Sequence, residues 1–336
     1  MLEEHIRFAV PSHQHQGGVP PASLPALLLW LAACAAVPPP VPATPPTPAS
    51  RPEALSMFGR PLYRPRLPPD REARLQAQLD SATAEFEAEP NDADALLWVG
   101  RRLAYLGHYR EAIAAYTRGI AMHPGDARFY RHRGHRYLTC RQFDLAIPDL
   151  QLAATLVDGR PDQTEPDGEP NPAGEPRSTL HGNIYYHLAL AHYLRQEFAQ
   201  AVPYWIRARS LARNDDMFAA SSYWLYLSYR KLGREAQAAQ VLQTIRPDMR
   251  IGENQAYYDL LRLFRGELQP DALLAEARAP GRLATYGYGL ASWYLFNGEK
   301  ARGEQLLREI ISGTVDWAAF GYIAAETELE RAGRSL

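Results

Sequence analysis

Between residues 91 and 126 the apolar positions fall into two blocks with helical spacing. Leu96, Val99 and Leu103 mark one side of a first segment, and Tyr109, Ala112 and Tyr116 one side of a second. Side chains three and four residues apart share a helix face, so each block predicts an amphipathic helix, with the turn at Gly107. Gly100 and Ala112 are small where two such helices would cross closely. Pro124 ends the second helix, because proline has no amide proton to give. The pattern then recurs. Tyr130, Gly134, Tyr137, Phe143, Ala146, Leu150 and Ala153 follow Leu96, Gly100, Leu103, Tyr109, Ala112, Tyr116 and Gly119 at a spacing of 34 residues. A third copy has Tyr185, Leu188, Ala189, Phe198, Ala201, Trp205 and Ala208, and a looser fourth has Tyr229, Gly233, Ala238 and Leu242. Residues 254–279 and 284–311 predict two more helix pairs, the latter turning at Asn297-Gly298. Upstream, 75–89 reads as the second helix of a repeat without its first. Downstream, 316–332 reads as one amphipathic helix capping the last exposed face. No stretch alternates as a β-strand would.

This period, with glycine, alanine, tyrosine and proline at these offsets, resembles the tetratricopeptide repeat (TPR) family across residues 72–332. The resemblance implies an all-α fold, a right-handed superhelix of antiparallel helix pairs whose concave side is lined by the first helix of each pair. It turns inward Leu97, Arg101 and Tyr105 from the first unit, and Arg128, Arg131 and His135 from the second. The third contributes Asn183, Tyr186, Leu190 and Tyr193, the fourth Tyr223, Arg230 and Lys231, and the last pair Tyr288 and Phe296. Such a lining is basic at one end and tyrosine-rich beyond. It suits an extended peptide carrying carboxylates, since arginine offers paired hydrogen bonds and tyrosine flat contact area.

A second feature stands near the N-terminus. The run Ala26–Cys34 is apolar, too short to span a bilayer, and ends in Leu31-Ala32-Ala33-Cys34. It resembles the lipobox of a bacterial lipoprotein signal peptide, which implies cleavage before Cys34 and acylation of its thiol. Two or three acyl chains anchor firmly where one does not. The proline-rich residues that follow predict an extended tether. The chain therefore divides into a signal peptide or disordered tail (1–33), a tether (34–69) and a solenoid (70–336). Absence of Asp after Cys34 points to an outer-membrane lipoprotein facing the periplasm, with a cytoplasmic module as the alternative.

Composition changes this picture little. Apolar residues make up 46%, enough for a core, and a net charge of −2 gives no reason to expect nucleic-acid binding. The only cysteines are Cys34 and Cys140, so an acylated Cys34 leaves Cys140 without a disulfide partner.

Candidate chemistry gathers in two places. The run Arg131-His132-Arg133-Gly134-His135-Arg136 is strongly basic, and its two histidines lie three apart on a helix. So many cationic side chains disfavour a metal there. Arg133 stands where the preceding unit has Val99, and a buried guanidinium requires a partner. The insert 158–179 carries Asp158, Asp162, Glu165, Asp167, Glu169 and Glu175 among prolines and glycines. It is either a disordered loop or an ordered lid in which Glu165 or Asp167 meets Arg131, Arg133 or Arg136. No phosphate loop, nucleophile elbow or metal-protease motif occurs, and no cofactor or metal is expected. His181, His187 and Glu253 form an acid–base set only if the superhelix brings them together. Asn214-Asp215-Asp216 predicts a helix cap. The leading expectation is a membrane-anchored scaffold that binds protein or peptide partners in the bacterial envelope. The alternative is an enzyme or ligand sensor built from the 131–136 cluster and the acidic insert.

Overall fold

A computed structural model describes residues 51–169, 178–313 and 316–333. The expected signal peptide, Cys34, the tether as far as residue 50, and Glu175 of the insert lie outside the described residues. The described chain is all-α apart from two short hairpins. Its helices are α1 (Pro69–Ala88), α2 (Ala93–Tyr105), α3 (Tyr109–Met122), α4 (Ala127–Thr139), α5 (Phe143–Val157), α6 (Leu180–Leu194), α7 (Phe198–Ser210), α8 (Asp215–Lys231), α9 (Glu235–Gln243), α10 (Gln255–Phe264), α11 (Pro270–Ala277), α12 (Leu283–Phe296), α13 (Lys300–Gly313) and α14 (Phe320–Arg331). Helices pair as α2 with α3, α4 with α5, α6 with α7, α8 with α9 and α12 with α13, and the first helices also pack in a row, α2 on α4, α4 on α6, α6 on α8, α8 on α10 and α10 on α12. This is a helical-repeat solenoid.

The expected crossings are present. A Cβ at Gly100 would lie 2.3 Å from the Tyr116 ring, and one at Gly134 would lie 2.7 Å from Leu150. Asp92, Asp126, Thr179 and Asn214 begin α2, α4, α6 and α8, each accepting an amide hydrogen bond from the first turn. Beneath the third and fourth units the core is aromatic. Trp205, Trp224, Tyr223 and Tyr288 are almost wholly buried there.

The turns inside the pairs explain how the solenoid closes. Gly107, Gly233, Gly266 and Gly298 all adopt positive φ at this point, a conformation glycine takes without steric cost. The second and third units place Arg141 (φ 62°) and Gln196 (φ 61°) there instead. Both side chains reach α14 or the segment leading to it. Arg141 donates to Glu326 (2.8 Å) and to the Trp317 carbonyl (2.8 Å). Gln196 donates to the Thr327 carbonyl (2.6 Å) and accepts from Arg331 (2.8 Å). Two strained turns are thus held by contacts with the last helix.

Consequently α14 does more than cover the final pair. It packs on α12 and α13 and returns to α6. Glu328 accepts from Lys231 of α8 (2.7 Å) and from the Tyr288 hydroxyl of α12 (2.6 Å). The expectation of a tether running to residue 69 is also corrected. Strands β1 (Ala54–Leu55) and β2 (Pro61–Leu62) form a hairpin against the solenoid, with Leu62 in the core. Glu53 accepts from the Arg110 amide (2.9 Å), and the Trp317 indole donates to the Tyr63 carbonyl (2.7 Å). Between the prolines of residues 51–68, Leu62 is buried and Ala54, Met57 and Phe58 pack against the core, which holds the hairpin in place.

Candidate functional site

The insert is ordered from 158 to 169, and its ends explain why. Strands β3 (Thr164–Glu165) and β4 (Ser178–Thr179) pair antiparallel, with Glu165 opposite Ser178. The Leu180 amide donates to the Gln163 carbonyl (2.9 Å), and the His181 amide to Asp162 (3.0 Å). Residues 162–169 then cross the inner faces of α4 and α2. Arg101 donates to the Pro166 carbonyl (2.5 Å) and Arg102 to the Gly168 carbonyl (2.5 Å), while Glu169 pairs with Arg71 (2.6 Å). Gly168 lies directly on Tyr105, leaving no room for a side chain. Thr179, closing the hairpin, also caps α6. The same backbone therefore ends the flap and begins the helix below it.

Glu165 is the centre of this arrangement. It is 8% exposed, lies 3.2 Å from Arg131 and 2.8 Å from His132, and accepts from the Asn183 amide nitrogen. Burial opposes its ionisation, but Arg131, then His132 and Asn183, outweigh this and hold the carboxyl below the usual range. Arg131 also donates to His132 Nδ1 (2.9 Å), so His132 is neutral with its proton on Nε2, toward Glu165. Burial and the Arg131 charge push the His132 pKa down to about 3. Burial lowers the Arg131 pKa as well, against the pull of Glu165 and with help from Arg101 and Arg136. Three guanidiniums, Arg101, Arg131 and Arg136, thus stand near this carboxylate, and Asp167 of the flap borders the same space.

Beyond this pair lies a histidine couple. His135 and His187 lie with ring centroids 4.1 Å apart and planes tilted by 39°, and Phe320 of α14 lies against both. His187 Nδ1 donates to the Asn183 carbonyl (2.7 Å). Burial first, then neighbouring arginines, hold both rings well below the ordinary histidine pKa. Together these groups line a cavity of about 370 Å³ between flap, inner helices and α14, which Tyr105, Arg136, Tyr186, Glu253 and Tyr257 also border.

The site residues expected from sequence separate into two groups. Arg101, Tyr105, Arg131, His135 and Tyr186 line this cavity, as do Glu165 and Asp167 of the flap. The other four do not. Arg128 stands at the start of α4, bound to Asp126 (2.6 Å) and Asp94, beside a second cavity of about 510 Å³. Tyr193 donates to the Tyr288 hydroxyl (2.7 Å), since Tyr288 must donate to Glu328. Tyr223 is fully buried beside Trp224 and Tyr257. Arg230 stacks on Phe296 and pairs with Glu235 (2.8 Å). The groove that Tyr193, Tyr223 and Arg230 were expected to line is filled by aromatic packing and α14, so its open part lies over α2, α4 and α6 and the N-terminal ends of α8 and α10.

Two further expectations are corrected. Among the described residues Arg133 pairs with none of the insert. It lies half-buried with both carboxylate oxygens of Asp149 (2.7 and 2.8 Å), because α5 of its own unit presents an acid at that crossing. His181 borders the second cavity rather than the one holding His187 and Glu253. Asn214 caps α8 as expected, and Asp216 in addition accepts from the amides of Gly252, Glu253 and Asn254, fixing the loop before α10. Cys140 is buried, and burial raises its thiol pKa to about 11, which leaves it inert at neutral pH. Sequence reading missed Phe320 and Glu326. Phe320 borders the cavity and Glu326 meets Arg141 at the α4–α5 turn only because α14 folds back, and no local pattern announces that.

Among the described residues there is no cluster of side chains arranged to hold a metal, and no helix long and apolar enough to cross a membrane. No protein-family model matches the chain, and no curated protein matches it. Among solved structures the chain is similar to MamA of AMB-1 at 18% identity and a TM-score of 0.38, covering 52% of this chain and 88% of that one. It is similar to YrrB, described as a TPR protein with an unusual peptide-binding site, at 16% identity and a TM-score of 0.40, covering 74% and 98%. A third is the Cut9–Hcn1 hetero-tetramer of the APC/C, at 16% and 0.47, where the match spans 75% of this chain and 46% of that one. The solenoid is established by the chain's own helix pairs and their stacking.

Proposed function

We propose that this chain is a binding scaffold, a TPR-like solenoid that holds a protein or peptide partner at the flap end of its inner face. One observation carries the proposal: arginines from α2 and α4 converge with the insert on the part of the inner face that α14 leaves open. Inner helices of repeat solenoids form extended binding surfaces, and arginine there selects carboxylate-bearing segments. The finer reading places the scaffold in the bacterial envelope as an outer-membrane lipoprotein acylated on Cys34, motivated by Leu31-Ala32-Ala33-Cys34 and the proline-rich residues that follow. Metabolic labelling with a palmitate analogue tests the anchor: Cys34→Ala abolishes the label, and equal labelling of the variant refutes it. Affinity capture from solubilised membranes tests the scaffold. A protein retained by the native chain and lost with Arg101→Ala supports the reading, and equal retention by both overturns it.

A second reading, a ligand sensor or enzyme, is favoured by one specific feature. The flap and α14 roof the cavity, giving it the scale of a small-molecule pocket rather than of a peptide groove.

A further inference from the structure

We propose that the chamber beneath the flap binds a small carboxylic acid, with the carboxylate on Arg101 and Arg131 and the body against Tyr105, Tyr186 and Phe320. The site does not depend on the scaffold reading above. A partner could dock at the flap whether or not the chamber holds a ligand.

The first support is incomplete pairing of two deeply buried cations. Arg101 and Arg131 are 6% and 7% exposed, and both line the chamber. Arg101 donates to the Pro166 carbonyl and stacks on Trp98 at 4.2 Å, yet no described residue accepts from its Nε. Arg131 uses one terminal nitrogen on His132 and the other on Glu165, and its Nε likewise has no described partner. A guanidinium buried so far ordinarily finds acceptors for its edge donors. Both Nε atoms are themselves covered by neighbouring residues, so a carboxylate would meet these guanidiniums where they line the chamber, and reaching either Nε would require the side chain to turn.

The second support is charge. Arg101, Arg131 and Arg136 face the chamber on the α2–α4 side, where Glu165 is held by Arg131, His132 and Asn183. His132, His135 and His187 add no charge at neutral pH, because burial keeps all three deprotonated. Asp167 also borders the chamber from the flap. The remaining carboxylates, Asp216 and Glu253, belong to the α8–α10 side, and Asp216 is taken up by three backbone amides. One added negative charge near the arginines relieves their mutual repulsion, whereas a dianion would crowd Glu165.

The third support is shape. About 370 Å³ lies inside the range of about 300–1,000 Å³ that encloses small molecules, and the aromatic wall suits an apolar body. The roof has a built-in point of release. A Cβ at Gly168 would meet the Tyr105 hydroxyl at 1.8 Å, so Gly168→Ala must displace either the flap or the Tyr105 ring beneath it.

The test is calorimetric titration of the full chain in detergent with the monocarboxylates acetate, butyrate, benzoate and 3-phenylpropionate. Inorganic phosphate, butyramide, benzamide, 3-phenylpropionamide and a tetrapeptide free acid serve as comparisons. At least one small acid should bind one-to-one and raise the melting temperature, while its amide and phosphate do not. Arg101→Gln should weaken binding about tenfold to a hundredfold, the loss of a charge-assisted hydrogen-bond pair. Gly168→Ala, which keeps every charge, should speed dissociation. Failure of every small acid at millimolar concentration overturns the proposal. So does phosphate binding as tightly as the acids, unchanged affinity in Arg101→Gln, or binding of the tetrapeptide alone. Membrane capture of a partner by the native chain would survive any of these results, so failure here leaves the scaffold reading standing.

Discussion

Replacing Arg141 and Gln196 separately with glycine should change stability by very different amounts, though the two occupy equivalent turns. Each native residue sits at positive φ, near 60°, where an L-residue costs about 1–2 kcal/mol relative to glycine. Glycine refunds that strain, less about 0.5–1 kcal/mol for the greater freedom of the unfolded chain. What each substitution removes differs. Arg141 is 3% exposed on its side chain and holds Glu326, which is 0% exposed. Without it a carboxyl remains buried with no cation, which costs about 3–5 kcal/mol when a buried pair is broken. The Trp317 carbonyl also loses its donor. Arg141→Gly should therefore destabilise the protein by about 2–4 kcal/mol. Gln196 makes two hydrogen bonds at the edge of α14, worth about 0.5–1.5 kcal/mol each. Against the relief of strain, Gln196→Gly should shift stability by no more than about 1 kcal/mol. Urea unfolding followed by tryptophan fluorescence measures both. Equal destabilisation by the two variants, or a neutral Arg141→Gly, would refute the claim that the Arg141–Glu326 pair compensates the strained turn and anchors α14.

Three other outcomes follow from the same geometry. Glu165→Gln leaves Arg131 without a counter-charge, so the flap should open and limited proteolysis should cut near Arg160 faster, while Asp158→Asn, exposed at the end of α5, changes little; equal rates in both would contradict the role given to Glu165. Acid should destabilise the fold well above the carboxylate range. His132, His135 and His187 stay neutral when folded but protonate below about pH 6.5 when unfolded, so the unfolded state takes up more protons and stability falls as pH falls. At pH 5.5 each contributes up to about 1.4 kcal/mol of loss, opposed in part by Glu326, whose buried carboxyl is raised; stability constant from pH 7.5 to 5.5 would sink this account. Gly134→Leu should overpack the α4–α5 crossing against Leu150 and cost about 1–3 kcal/mol, visible as a lowered thermal midpoint.

The repeat was legible because it is local and periodic. Gly100 with Tyr116 and Gly134 with Leu150 are contacts within one unit, and the same residues recur 34 positions on. The meeting of Glu165 with Arg131 was legible for a related reason, since prolines and a hairpin confine the insert beside the helix it follows. What was not legible depends on long-range closure. Tyr193, Tyr223 and Arg230 carry the same surface-like signature as Arg101 and Tyr105. They lose access because α14, more than 90 residues downstream, folds against the inner face. The Arg133–Asp149 pair was hidden differently: Asp149 looks like an ordinary solvent position until the α5 face is known. In hindsight Arg141 and Gln196, breaking the run of turn glycines, were the sequence's mark of that closure.

The account's central claim is that partners are met at the flap end of the inner face. The convex side offers a competing surface, where Leu145, Leu152 and Ile206 are exposed. In-cell photocrosslinking compares the two directly, with a photoreactive residue at position 166 on the flap or at position 152 on the outer face of α5. The account predicts a discrete crosslinked partner from 166, reduced by Arg101→Ala, and none from 152. A partner captured from 152 and absent from 166 would contradict it.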